Sequence, residues 1–171
     1  MTVWNVGTTL RDWFPVTVDG AAICYIGIDN SFSTANIDIV VSPTVSIINA
    51  ANMIGGQTAS GVIDVSNNSD IDIFYFISAD WRESPPTNIR MSTILTNRLT
   101  VSVVASPNEA VFIGKLVDLV DQPSSGRLLV TGDPIDILTF TLALAEEDAT
   151  NLVQNVALLT DFIFVATQSP A

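Results

Sequence analysis

The chain has 171 residues, and a chain of this length forms one domain that buries about 68 to 70 % of its unfolded surface. Its 18 acidic and 6 basic side chains give a formal net charge of −12. Such a charge repels phosphate backbones, so we expect no nucleic-acid partner. Hydrophobic residues make up 48 % of the chain and charged residues only 14 %, so we expect part of the apolar surface to contact another subunit.

No run of apolar residues reaches the length of a membrane-spanning helix, which needs about 18 or more. The N-terminus lacks the basic region and the apolar stretch of a secretion signal, so either the protein is made without a leader or the sequence begins after one has been removed. The single cysteine, Cys24, lies among apolar residues. Its setting favours a buried thiol over a bridge between chains.

The first 20 residues contain two strand-like runs, TVWNVGTTL and DWFPVTV. In the first run Trp4, Val6 and Leu10 share one face of a strand. Pro15 in the second run cannot donate to a ladder, so it suits a hinge or a sheet edge. We therefore predict an N-terminal strand segment and hinge over 1–20, followed by one domain over 21–171. The candidate interface residues of the segment are Val3, Trp4, Val6, Leu10, Trp13 and Phe14.

Most of the remaining chain alternates apolar and polar side chains with the period of a strand. In DILTFTL one face is predicted to carry Leu138, Phe140 and Leu142, and the other Asp136, Ile137, Thr139 and Thr141. ANIDIVV likewise places Ile37, Ile39 and Val41 together. The runs over 71–79 and 156–168 are apolar on both faces, which is typical of strands that are either central in a sheet or at an interface.

Turn signals separate the strands, at 18–20, 54–57, 66–70, 106–108, 122–126 and 131–134. Short helical turns are predicted over 91–97 and over 114–122, where Leu116, Leu119 and Val120 have helical spacing. A connector over 146–155 is expected to cross one edge. Together these signals predict an all-β fold: a two-sheet, jelly-roll-like β-sandwich of eight to ten strands, with short helical connectors and an N-terminal strand extension.

The sequence contains no histidine. This excludes a Ser/His/Asp triad, a Cys/His pair and a zinc site with imidazole ligands, and one cysteine cannot supply a thiolate cluster. No glycine-rich phosphate loop is present either. We therefore predict a protein that is not an enzyme and has no cofactor.

Carboxylates are the remaining candidates for binding chemistry. They are favoured as solvated turn residues, with a weak calcium contact as the most they would support. The groups are Asp64, Asp70 and Asp72; Asp133 and Asp136; and Glu146, Glu147 and Asp148. A glycosylation sequon at Asn67 is favoured as a plain turn.

Several segments, read in order, resemble the camelysin/TasA family of secreted biofilm-matrix fibre proteins and the related archaeal bundling pili. The last strand, over 161–168, is similar to the family ending F-x-F-x-A-T-Q. The other matching blocks are Phe32 to Ile39; Asn52, Met53 and Gly56; Gly61, Ile63, Val65 and Asn67; Thr131 to Leu144; and Ala149 to Asn155. The resemblance spans about residues 31 to 168.

The resemblance implies an extracellular or cell-surface fibre or pilus. In it, the N-terminal segment of one subunit adds as a strand to the next subunit, which makes a homopolymer. Camelysin-type proteins have also been described as metalloproteases. Without a histidine we expect no such activity here, because a zinc protease needs three protein ligands around a polarised water.

Two alternatives stay open at this point. Residues 2–10 could pair within their own sandwich instead of with a neighbour. The chain could also be a jelly-roll module that does not polymerise, such as a viral capsid or decoration protein or a carbohydrate-binding surface domain.

Overall fold

The structure is a computed structural model that describes residues 37–50 and 53–168 in full and, of residues 16–18 and 21–23, the backbone. The chain divides into two units, residues 1–34 and 35–171. In the first unit β1 (Val16–Val18) pairs antiparallel with β2 (Ala21–Ile23), across the turn predicted at 18–20. All six candidate interface residues, Val3, Trp4, Val6, Leu10, Trp13 and Phe14, lie outside the described residues. The boundary at residue 20 stays a prediction.

The second unit contains eight strands in its described part, which confirms the all-β prediction. They are β3 (Ile39–Ser42), β4 (Thr58–Asn67), β5 (Ile73–Glu83), β6 (Leu99–Ala105), β7 (Glu109–Lys115), β8 (Gln122–Leu129), β9 (Asp136–Leu144) and β10 (Leu158–Thr167). One helix, α1 (Ile89–Thr96), and two 3-10 turns, Leu116–Asp118 and Asn151–Val153, connect them. Within the described ranges, none of the helices has the length and apolar character that spanning a membrane requires.

The strands form two antiparallel sheets. The large sheet has the order β3-β4-β9-β6-β7, and the small sheet has the order β10-β5-β8. From β4 to β10 every connection except β6 to β7 passes from one sheet to the other, which is the connectivity of a jelly roll. A jelly roll has two four-stranded sheets, to which β3 is an addition here. No described strand occupies the fourth position of the small sheet, beside β10.

The core lies between the two sheets and follows the predicted alternation. Leu138 and Phe140 of β9 are fully buried, as are Val101 and Val103 of β6 and Ile77 of β5. Fully burying one such side chain contributes about 1.5 to 3 kcal/mol, so this row accounts for much of the stability of the sandwich.

The helical predictions hold in part. α1 matches the turn predicted at 91–97, and it begins where the Asn88 side chain accepts a hydrogen bond from the backbone N–H of Met91, at 3.1 Å. Over 114–122 only the 3-10 turn forms. Leu116 and Leu119 are buried as expected, but Val120 is 55 % exposed. The prediction was wrong for Val120 because the turn ends at Leu119 and the backbone there leaves the helical conformation.

The turn predicted at 122–126 was also wrong, because these residues lie within β8. Tyr75 pairs with Arg127 and Ile77 with Gln122, so residues 123–126 stand opposite Phe76 alone and form a bulge. Gly126 makes this bulge with a φ of +70°, and a Cβ on it would lie 2.8 Å from the Phe76 ring. The bulge therefore packs over Phe76, which is 8 % exposed.

Candidate assembly site

In the described part of the chain the last strand, β10, is paired with another strand along one edge. It pairs with β5 along its whole length, from Leu158 opposite Glu83 to Thr167 opposite Phe74. Among the described residues no strand pairs with its other edge between 158 and 166. Such an edge presents a row of N–H and C=O groups that can pair with another strand.

The sequence left two interpretations open for the segments that are apolar on both faces. β5 is the central strand of the small sheet, so the interpretation as a central strand is confirmed for β5. β10 is an edge strand in the described part of the chain. Its outer face nevertheless carries Leu159, Ile163 and Val165, which are 47, 43 and 48 % exposed. For β10, then, both interpretations stay predictions.

The inner row of β10 is less buried than the strand that faces it. Phe162 and Phe164 pack on Phe140, with ring centroids 4.4 and 6.4 Å away. Phe140 is fully buried, whereas Phe162 and Phe164 are only half-buried. The core is therefore less completely covered along the side of β10.

The two sheets are unequal in width. The aromatic contact places β10 over β9, and the ion pair between Arg127 and Glu109, 2.8 Å long, places β8 over β7. With five strands facing three, β4 and β3 extend past the edge of β10. On β3, Ile39 and Val41 are half-buried. The inner side chains Ile63 and Val65 of β4 are nevertheless buried, and Ile47 lies against Gly61 of the same strand, so β4 is already covered there.

One buried polar atom in β10 has no hydrogen-bond partner among the described residues. The Oγ1 hydroxyl of Thr160 is buried and makes no hydrogen bond in the described part of the chain. Leaving such a group unsatisfied costs about 1 to 3 kcal/mol. Thr160 belongs to the inner row of β10, beside Phe162.

The charges near this edge are few and exposed. Asp161 stands opposite Asp80 in register, and Arg82 Nη1 lies 2.5 Å from Asp161 Oδ2. Both partners of this ion pair are more than half exposed, so the pair contributes at most about 1 kcal/mol. Residues 2–10 carry no charged side chain, so their approach to this edge meets no direct repulsion.

A buried polar cluster joins the sheets at one end of the sandwich. Arg127 donates from Nε to Asp136 Oδ2 at 2.5 Å and from Nη2 to Asp136 Oδ1 at 3.2 Å. Tyr75 donates its hydroxyl to Asp136 Oδ2 at 2.5 Å. Burial and the hydrogen bond to Asp136 raise the pKa of the Tyr75 phenol well above its ordinary value. The phenol stays neutral at physiological pH and acts as a donor that holds the carboxylate in place.

The position of Asp136 corrects the sequence interpretation. We predicted that it would face outward with Ile137 and be solvated, yet its side chain is only 10 % exposed. It has the parity of Leu138 and Phe140, so its side chain points toward the small sheet. A buried carboxylate is retained there because Arg127 and Tyr75 satisfy its oxygens.

The other carboxylates stay apart. Asp72 accepts a hydrogen bond from the backbone N–H of Thr131 at 2.9 Å, and Asp148 lies 3.1 Å from Lys115 Nζ. Over the described residues, no three acidic, histidine or cysteine side chains converge in a group that could hold a metal ion. The predicted weak calcium contact has no site in that part of the chain.

The sequon residue Asn67 has a structural role. Its side-chain nitrogen donates to the carbonyls of Ile71 and Leu129, at 2.8 and 3.0 Å. Its oxygen accepts from the backbone N–H of Ser69, at 2.8 Å. The nitrogen that a glycan would need is therefore engaged in the fold, in agreement with the turn favoured from the sequence.

A scan of protein-family models found none that matches the chain, and a search of curated proteins found no significant match. The site is thus defined by its geometry. The open edge of β10 is the feature that sequence reasoning did not locate. The only signal for it was the apolar pattern on both faces over 156–168, which does not by itself distinguish a central strand from an edge strand.

Proposed function

We propose that this protein is a structural subunit that assembles into an extracellular fibre. In the proposed assembly, residues 2–10 of one copy add as a strand to β10 of the next. The observation that carries the proposal is the edge of β10 over residues 158–166 with which no described strand pairs, beside a half-buried inner row. The resemblance of residues 31 to 168 to the camelysin/TasA family supports the same role and the extracellular location.

An added strand would gain two kinds of interaction. Its backbone would form ladder hydrogen bonds with β10, and alternate side chains would cover the half-buried inner row around Phe162 and Phe164. Trp4, Val6 and Leu10 lie on one face of the donated segment. Burying these three side chains contributes about 5 to 8 kcal/mol before the loss of association entropy is subtracted.

The contact joins two different surfaces, a segment on one copy and a sheet edge on the other. A contact of this heterologous kind leaves a free donor at one end and a free acceptor at the other, so it extends into an open filament unless the rotation closes a ring. This growth needs no catalytic residue and no cofactor. The absence of histidine from the sequence agrees with a structural role.

The decisive experiment uses two variants that add the same charge to neighbouring residues. Val6→Asp places a carboxylate on the docking face, where it would be buried, whereas Asn5→Asp places it on the opposite face. We expect Val6→Asp to remain folded and not to polymerise, and Asn5→Asp to form filaments like the unaltered protein. Electron microscopy and sedimentation measure the outcome. Filaments formed by Val6→Asp would contradict strand donation by residues 2–10.

The size of the unaltered protein in solution tests the alternative. A fibre subunit gives very large species whose size depends on concentration. A fixed small oligomer would instead favour a capsid, decoration or carbohydrate-binding module. That result would contradict the proposal whatever the outcome with Val6→Asp and Asn5→Asp.

A further inference from the structure

The outer face of the small sheet carries an apolar patch. Ile163 and Val165 of β10 and Leu128 of β8 are 43, 48 and 50 % exposed on this face. Leu128 stands opposite Phe74 of β5, whose side chain is half-buried, and Val165 stands opposite Phe76. The apolar surface therefore extends across all three strands. We call Phe74, Leu128, Ile163 and Val165 the outer patch.

The outer face of the large sheet provides a contrast. It also has four exposed apolar residues, but each stands opposite a polar residue in register. The pairs are Val40 with Ser66, Val62 with Thr139, Ile113 with Ser102, and Ile137 with Asp64. Polar neighbours thus separate the apolar side chains on that face, and single exposed apolar residues are ordinary on protein surfaces.

The size of the outer patch fits a weak contact between proteins. Its four side chains present roughly 300 Å², which is the size of the largest apolar patch on many monomers and is often functional. A standard interface buries about 800 Å² on each partner. The outer patch and a polar rim around it stay below that area, so we expect a reversible contact.

The charges beside the outer patch determine how a second copy can approach. Asp80 of β5 and Asp161 of β10 stand opposite each other. They lie four residues from the row of Val165, about 13 Å along the strands. A twofold axis along the strands would bring Asp80 of one copy against Asp80 of the other. An axis across the strands at Val165 instead places these carboxylates at opposite ends of the contact.

The second orientation makes the outer patch complementary to itself, which a twofold contact requires. Val165 then faces Val165 of the other copy, and Ile163 faces Thr167. Residues 163–167 and 74–78 contain no charged side chain, although the chain has a formal charge of −12. Two copies can therefore meet on these rows without bringing like charges together there.

We propose that two copies of this chain pair through the outer patches of their small sheets. The sheets pack face to face, about 10 Å apart as in a sandwich, and each strand is antiparallel to the strand that it faces. The contact uses the outer face of β10, whereas strand donation uses its edge, so the inference goes beyond the proposed function. It also gives a role to the apolar outer row of β10.

Cross-linking of single-cysteine variants tests the contact in the full chain. Cys24→Ser removes the one native thiol, and Val165→Cys or Val62→Cys then adds a thiol to the outer face of the small or the large sheet. The two valines are 48 and 47 % exposed, so the added thiols are matched. A short bis-maleimide links thiols that face each other. Denaturing electrophoresis then measures covalent dimers, and because it dissolves filaments, the result does not depend on polymerisation.

We expect Val165→Cys to give at least about tenfold more covalent dimer than Val62→Cys, because the contact holds the two thiols together at a high effective concentration. Equal yields from the two variants would overturn the inference. Such a result would leave strand donation intact, because the edge of β10 takes no part in this contact.

A lysine added to the outer patch provides the second test. In the Val165→Cys protein, Leu128→Lys places a charge inside the outer patch, whereas Leu152→Lys makes the same change at a 3-10 turn outside it. The two leucines are 50 and 59 % exposed, so we expect neither change to shift the unfolding midpoint. We expect Leu128→Lys to lower the dimer yield at least about tenfold, because an unpaired charge in an apolar contact loses its hydration. Leu152→Lys is expected to leave the yield unchanged, and equal yields from the two lysine variants would contradict the proposed contact.

Discussion

Arg127 and Asp136 form a two-point ion pair that connects the two sheets of the sandwich. Arg127 belongs to β8 in the small sheet and Asp136 to β9 in the large sheet, and two nitrogens of the guanidinium face two oxygens of the carboxylate. The pair is largely shielded, with side-chain exposures of 18 and 10 %. The pair holds the two sheets together at the end of the sandwich where β9 begins.

We expect Asp136→Asn to lower the free energy of unfolding by about 3 kcal/mol, because removing one partner leaves the guanidinium without its buried counter-charge. Asp133→Asn, which removes the same charge from the exposed turn next to it, is the control and is expected to change stability by less than about 0.5 kcal/mol. Denaturant unfolding of the two variants measures the difference. Equal effects would show that Asp136 acts through net charge alone.

The buried phenol of Tyr75 is expected to make the protein less stable at alkaline pH. Burial and the bond to Asp136 raise the pKa of its phenol in the folded state, so the folded chain keeps this proton to a higher pH than the unfolded chain does. The stabilisation that results is fully present below about pH 10, the ordinary pKa of tyrosine. Above that pH the free energy of unfolding falls by about 1.4 kcal/mol per pH unit.

The chain has two tyrosines, so Tyr25→Phe isolates the signal of Tyr75. In this variant we expect tyrosinate absorbance to appear only as the protein unfolds at high pH. In Tyr75→Phe the free energy of unfolding should fall less steeply above pH 10, by about 1.4 kcal/mol per pH unit. Reversible ionisation of Tyr75 near pH 10 in folded protein would contradict the burial argument.

Asn67→Asp is expected to lower the free energy of unfolding by about 1 to 3 kcal/mol, because the carboxylate cannot donate to the carbonyls of Ile71 and Leu129. Asn68→Asp makes the same chemical change at an exposed neighbour and should have almost no effect. Thermal unfolding of both variants measures the difference. Similar midpoints for the two would contradict the role assigned to the Asn67 side chain.

Filament growth is expected to accelerate with salt. Each subunit carries a formal charge of −12, and the proposed contact itself is uncharged on the donor side. Raising the ionic strength from about 0.01 to 0.1 M shortens the screening length from about 30 to 10 Å and weakens repulsion between subunits. Light scattering follows the growth, with sucrose of equal osmolality as the control. Slower growth in salt would indicate that attraction between charges drives the contact.

The sequence by itself determined the class of the fold and the faces of its best-patterned strands. The alternation in DILTFTL placed Leu138 and Phe140 in the core, because successive side chains of a strand point to opposite faces whatever the neighbours are. The helical turn near α1 followed from local signals in the same way. The resemblance to a fibre-forming family remains a proposal, and the six donor residues lie outside the described part of the chain.

Only the tertiary structure decided which strands are neighbours, because strand pairing joins residues far apart in sequence. Tyr75 and Asp136 are 61 positions apart, and no local pattern shows that a carboxylate at the start of β9 meets a phenol of β5. The open edge of β10 has the same origin. A period of two residues fixes the two faces of a strand, but the edges are fixed by what lies beside it in space.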